Sequence, residues 1–440
     1  MDAPIPRDIP LDLPAPEGLL KVLLVVFFLL HIVFVHLMLG ASLFSLACQI
    51  KGLKVPDYDK LANKIVQTIT VNKSLAVVLG VGPLLVINTI YTSYFYSSSA
   101  LIGDAWMSVI PLVAFAFLLA YAHKYWWERL ASIKELHIGI SVMETAIFLI
   151  VPLIFMTNVT LMLYPDRWPQ VHGFLSAMML PNVLQRYLHF LSASVLLSAL
   201  FYAWWTGREK FQASTQFTTL RVAEVRRFFY GFAFGATVLQ ILSGLLVFIT
   251  LPTRGIDWNF TLTLFLGASP VLLAIRWMWI DLNASDEQIG KHLKHIIAMF
   301  AITVVAMGSA RHLYRETALA EHKQAVKEKT ANYMAAVKQA AEDLKSGNTE
   351  IPATVPGEAD FKANCSACHN PAVKTVGPSL KEIAGIYTGN PKGIVTWARA
   401  PGKKRPDTIQ MPAFAGVVSD DKLQQIGEYM IKTGTERQLQ

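Results

Sequence analysis

Long apolar stretches alternate with short polar loops from residue 18 to residue 316. About 20 apolar residues in a helix cross the hydrocarbon core of a bilayer. Eight stretches meet that length: 20–48, 74–98, 105–123, 138–162, 182–205, 228–251, 259–281 and 292–313. Beyond them the pattern changes. Residues 314–346 are rich in Ala, Lys and Glu and read as a solvated helix leaving the membrane. Residues 347–357 carry two prolines and two glycines and read as a linker. From 358 onward short amphipathic segments fit a small helical domain. The expected fold is mainly α, a polytopic bundle over 1–316, a helix and linker over 317–357, and a compact domain over 358–440.

Composition agrees with this division. Of the 440 residues, 53% are hydrophobic and 16% charged, values of a membrane protein. The net charge of +8 collects in loops and therefore does not indicate nucleic-acid binding. Lys51, Lys54, Lys60 and Lys64 follow the first stretch. Lys124, Arg129 and Lys134 follow the third, and Arg208, Lys210, Arg221, Arg226 and Arg227 the fifth. The alternate loops hold few basic residues, among them Arg167 and Arg254. The positive-inside rule then puts both termini outside, in the periplasm of a bacterial inner membrane. The first apolar run is too long for a cleavable signal and lacks a basic segment before it.

Residues 365–369 read Cys-Ser-Ala-Cys-His. Cys-x-x-Cys-His attaches c-type haem: two thioethers hold the macrocycle and the His ligates iron. Cys365, Cys368 and His369 take those roles, and attachment happens outside the cytoplasm, in accord with the charge argument. Only Cys48 remains, which leaves no disulfide framework and no thiol pair for zinc.

Phe361 before the motif, Val376-Gly377-Pro378 after it, and Met411 in Ile-Gln-Met-Pro-Ala-Phe resemble a single-haem class I cytochrome c. The resemblance implies that the Pro378 carbonyl accepts from the His369 ring, that Met411 is the sixth iron ligand, and that Tyr429 of the last helix packs on Phe361.

Ionisable groups inside spans are costly and are functional candidates. His31 and His36 lie in the first span, His189 and Arg186 in the fifth, and Met307, Arg311 and His312 near the end of the eighth. At about 1.5 Å per residue, His31, His189, Met307 and His312 fall toward the outer side. Haem b accounts for this set better than isolated polar contacts, with Arg186, Arg311 and Arg315 available to haem propionates. His36 points to another face and is a candidate ligand for a second haem b. Glu144, in the fourth span, is a candidate for a proton path.

His31-Ile-Val-Phe-Val-His-Leu-Met-Leu-Gly and Arg-Tyr-Leu-His189-Phe-Leu resemble segments of subunit I of cytochrome bd quinol oxidases, as do Gly82-Pro83 and Trp-Trp-Glu128-Arg129. That distant resemblance implies haem b, His31 and His189 as ligands, and a quinone site. It departs from the family where the third span, Ala105 to His123, lacks acidic residues, and where the loop after span six shrinks to Pro252–Trp258. The expected activity is electron transfer between the quinone pool and periplasmic carriers through haem b and one covalent haem c. Two alternatives stay open: a relay or anchor subunit of a larger membrane complex or periplasmic redox enzyme, and an oxygen or nitric-oxide reductase subunit. The direction of electron flow is not encoded in any motif.

Overall fold

The structure is a computed structural model that describes residues 13–345, 355–403 and 409–436. The chain divides into two compact units, Met1–Tyr333 and Met334–Gln440. Residues 347–354 of the expected linker lie outside the described residues. The described residues are helical and contain no strand.

In the first unit, apolar runs and helix-favouring loop chemistry give α1 (Glu17–Gly52), α2 (Pro56–Ile90), α3 (Thr92–Leu101), α4 (Gly103–Tyr125) and α5 (Lys134–Leu161). The short α6 (Phe174–Met178) leads into α7 (Val183–Thr206), and α8 (Glu209–Ser214) into α9 (Val222–Thr250). Then come α10 (Trp258–Ala268), α11 (Pro270–Leu282) and α12 (Leu293–Lys345), the last contributing to both units. Eight helical segments are long and apolar enough to cross a membrane, the pair α10–α11 counting as one. Their outward faces are apolar: Val78, Ile110 and Leu272 are 70%, 71% and 67% exposed. Patches of that extent suit lipid rather than water.

The second span differs from its expected place at 74–98. Its helix starts at Pro56 and stops at Ile90, and α3 begins afresh after a break at Tyr91. Leu61, Ile65 and Ile69, with Ala62 and Val66, form a stripe at helical spacing and are buried. Asp57, Lys60, Asn63 and Lys64 share those turns, and their polarity hides the stripe from a hydropathy average. The seventh span is interrupted at Ser269, which keeps helical angles (φ −56°, ψ −36°), because Pro270 has no N–H to continue the helical hydrogen bonds. The eighth continues without a break into the charged segment as one helix.

Two core layers result. One joins Phe44 and Cys48 of α1, Ile65 and Ile69 of α2, Ala120 of α4, Phe148 of α5, Tyr202 of α7 and Phe229 of α9. The other joins Leu24, Tyr91, Ile154, Phe260 and Tyr314. Buried Asp57 closes the loop before α9 by accepting from the backbone N–H groups of Thr218 (2.8 Å), Thr219 (2.6 Å) and Leu220 (3.0 Å). At the other layer, Glu316 binds Lys21 (2.8 Å), Lys323 (2.9 Å) and the Tyr91 hydroxyl.

The second unit holds α13 (Glu358–Asn364), α14 (Leu380–Ile386), α15 (Pro391–Arg399) and α16 (Asp420–Glu436) around Phe361, Leu380, Ile383, Leu423, Ile426 and Met430. Ser379 and Asn390 cap α14 and α15 with their side-chain oxygens. Gly357 has φ 90°, and a Cβ there would lie 2.0 Å from the Gln425 carbonyl oxygen, so only glycine lets α13 cross α16 this closely.

Candidate functional site

The haem c motif lies just past α13. Cys365 N donates to Phe361 O (2.8 Å), and Cys368 N and His369 N both donate to Cys365 O (3.1 and 3.0 Å). One tight turn therefore carries both thiols and the imidazole. His369 is buried, and its Nδ1–H donates to Pro378 O at 2.9 Å. With Nδ1 so engaged, Nε2 is the nitrogen left for a metal. Gly377 N and Thr375 Oγ1 both donate to Cys368 O (2.8 and 2.6 Å), pinning the loop over the motif. Burial, and then the neighbouring Cys368, push the Cys365 thiol up to about 11, so it stays protonated at neutral pH.

Met411 lies on a loop before α16, partly buried against the core that Cys365 also borders. Phe414 N donates to Ala398 O (2.8 Å), tying that loop to α15. Met430, by contrast, is an inward residue of α16 and 5% exposed. Phe361 and Tyr429 rings meet with centroids 5.2 Å apart, as the class I resemblance implied. These residues fit a haem: free thiols, an oriented imidazole and a thioether bordering one apolar core.

Gly377 is needed for a different reason than flexibility. A Cβ there would come within 2.4 Å of His369 Cε1. Gly377→Ala should therefore displace the ring and destabilise the domain by about 1–3 kcal/mol, the usual cost of overpacking. Melting followed by haem c absorbance checks this; an unchanged Tm would show that the ring does not rest on Gly377.

In the membrane unit, His31 Nδ1–H donates to Ala76 O (2.7 Å), and its ring fills a niche over Gly80, where a Cβ would lie 2.9 Å from Cε1. His36 Nδ1 is hydrogen-bonded to Ser194 Oγ (2.8 Å), and its ring lies 4.8 Å from that of Phe190. His189 Nδ1 is bonded to Ser243 Oγ (3.2 Å), while the Gln240 amide occupies its Nε2 side (2.7 Å). The first span thus meets α2 through one histidine and α7 through the other, and His189 meets α9. Arg186 reaches Thr160 Oγ1 (3.3 Å) and Arg311 lies over the Phe28 ring (4.4 Å). Neither forms an ion pair among the described residues. His312 Nδ1 is buried without a partner. Met307 packs toward Gly267 of α10.

Sequence reading missed the partners of these rings. Gly80, Ser194, Gln240, Ser243 and Gly244 are small or polar residues on other helices, and no local motif marks them. It also missed that Glu144 pairs with His123, Nδ1 to Oε2, at 2.7 Å.

Comparison with known proteins bears on the C-terminal domain. The profile of the family "Cytochrome C oxidase, cbb3-type, subunit III" matches residues 352–430. Cytochrome c2 of Rubrivivax gelatinosus is 34% identical over 85 residues, 18% of this chain and 96% of that protein. Cytochrome c6 of Synechocystis sp. is 30% identical over 86 residues, 19% of this chain and 70% of that protein. The similarity, the helical fold and the haem-attachment motif agree, and through its C-terminal domain the chain belongs to the cytochrome c family and transfers electrons on a c-type haem.

Proposed function

We propose that the chain exchanges electrons between the quinone pool and periplasmic carriers, with a haem b-binding bundle distantly related to subunit I of cytochrome bd oxidases and a tethered cytochrome c domain. Domain limits follow the sequence division: 1–316, 317–357 and 358–440. In this reading the bacterial inner membrane holds the bundle, and the cytochrome domain faces the periplasm. The observation that carries the haem b assignment is the group of intramembrane histidines. His31, His36 and His189 each have Nδ1 held by a protein partner, the arrangement that orients an imidazole for a metal. Haems, when bound, supply one-electron chemistry. His31 and His189 would hold iron, with Met307 and His312 as further candidates and His36 for a second haem. Gln240 must turn away from His189 for its Nε2 to ligate. Arg186 and Arg311, cations without carboxylates, would neutralise propionates. For haem c, Cys365 and Cys368 would hold the macrocycle, and His369 and Met411 the iron.

A second reading is a relay subunit without its own quinone site. The matched profile is named for a subunit of an oxidase, and that favours a partner complex. The stretch of α4 from Ala105 to His123, which carries no acidic residue, counts against oxygen reduction.

Haem content and quinol reduction separate the two. Pyridine haemochromes of the purified full chain should contain both b and c spectra, and a short-chain quinol should reduce both anaerobically. A spectrum of haem c alone would end the haem b assignment. Haem b that quinol leaves oxidised would end the quinone reading in favour of the relay.

A further inference from the structure

A second polar group, apart from the histidines above, joins α4 to α5, which pack in turn against α2 and α1. Glu144 and His123 are each 1% exposed and joined at 2.7 Å. His137, fully buried, donates Nε2–H to His123 O (3.1 Å), which leaves its Nδ1 an acceptor. Trp127 covers both imidazoles, with ring centroids 5.8 Å from His123 and 4.6 Å from His137. Polar atoms on these same helices are buried and unpartnered. They are His123 Nε2, His137 Nδ1, Ser141 Oγ and Glu144 Oε1, together with the Gln49 amide of α1 and Asn72 Nδ2 of α2. Buried polar atoms almost always find a partner, and several unpaired atoms on adjoining helices are what ordered water satisfies.

From this arrangement we propose that Glu144 and His123 form a hydrated proton-exchange site inside the bundle, reached from the α4–α5 turn. That turn is exposed at Ala131–Ile133, one helical turn from His137. The step balances within the pair. A solvent proton adds at His123 Nε2, the Nδ1 proton passes to Glu144 Oε2, and the ring is again neutral with its tautomer exchanged. Glu144 is then a carboxylic acid, and one proton has been taken up. The charged groups on these helices have partners of their own. Lys73 of α2 lies over the Phe117 and Tyr121 rings (4.3 and 3.9 Å). Lys124 donates to Thr70 Oγ1 (2.9 Å), and Lys134 is paired with Asp59 (2.5 Å). Tyr187 of α7 donates to the Leu149 carbonyl of α5 (2.9 Å) and brings no charge. Among the described residues, no three His, Cys, Asp or Glu side chains are placed to hold a metal ion together.

Infrared difference spectra of the full chain in lipid nanodiscs, recorded between acid and alkaline buffer, test the site. Wild type should show the carbonyl stretch of a protonated carboxylic acid that shifts in D2O within minutes. Glu144→Gln should lose that band, Glu144→Asp should keep one, and covalent haem c content should match wild type in both. The idea is overturned if the wild-type band is missing or does not respond to D2O, since the pair is then a dry structural bond. A band that survives Glu144→Gln belongs to another carboxyl and overturns it equally. So does a changed haem b absorption in His123→Gln, because His123 would then be an iron ligand.

Discussion

Replacing Cys365 and Cys368 together by alanine removes covalently bound haem from the chain, and the peroxidase stain at its mass in denaturing gels disappears. The expected loss is complete, because Cys48 is buried in α1 and no other thiol exists. Each single variant keeps one thioether and should retain a weaker stain. A stain that persists in the double variant would refute the attachment site. The same stain reports topology, since attachment requires the domain to reach the outer side of the membrane. The domain should still assemble its helices in part, because Phe361, Leu380, Ile426 and Met430 supply a core of their own. Its stability should fall sharply, because fewer than 100 residues bury little surface without a covalent or metal-bound staple.

If the proposed haem b assignment holds, His189→Ala should abolish a low-spin haem b signal and leave haem c attached, and His31→Ala should do the same for that haem or for another. Imidazole is the strongest ligand that these spans offer, and truncation leaves Gly244 and Gly80 facing open niches. The pyridine haemochrome ratio of b to c measures the effect directly. An unchanged ratio in both variants would overturn the haem b assignment and leave the bundle an anchor. Gln240→Leu frees the Nε2 side of His189 and should preserve haem b, whereas a loss there would show that Gln240 itself orders the site.

The cytochrome domain was legible because its chemistry is written in consecutive residues. Cys365 to His369 share one turn, and Pro378 returns to His369 nine residues on. The apolar stretches were equally legible, since length and hydropathy alone select what can cross a bilayer. The extent of α2 was not, because its inward stripe from Leu61 to Ile69 is averaged away by Asn63 and Lys64. The membrane histidines were visible as costly groups, but not their partners. Ser194 lies 158 residues from His36, and Ser243 lies 54 from His189. By itself, then, the sequence determined the cytochrome c domain, the helical class and the number of apolar spans, since each depends on local spacing or local polarity. Only the tertiary structure decided that His123 meets Glu144, that glycines seat the imidazoles and that Asp57 closes a distant loop. Those contacts join separate helices, and helix packing rather than any repeat along the chain brings their atoms within hydrogen-bond distance.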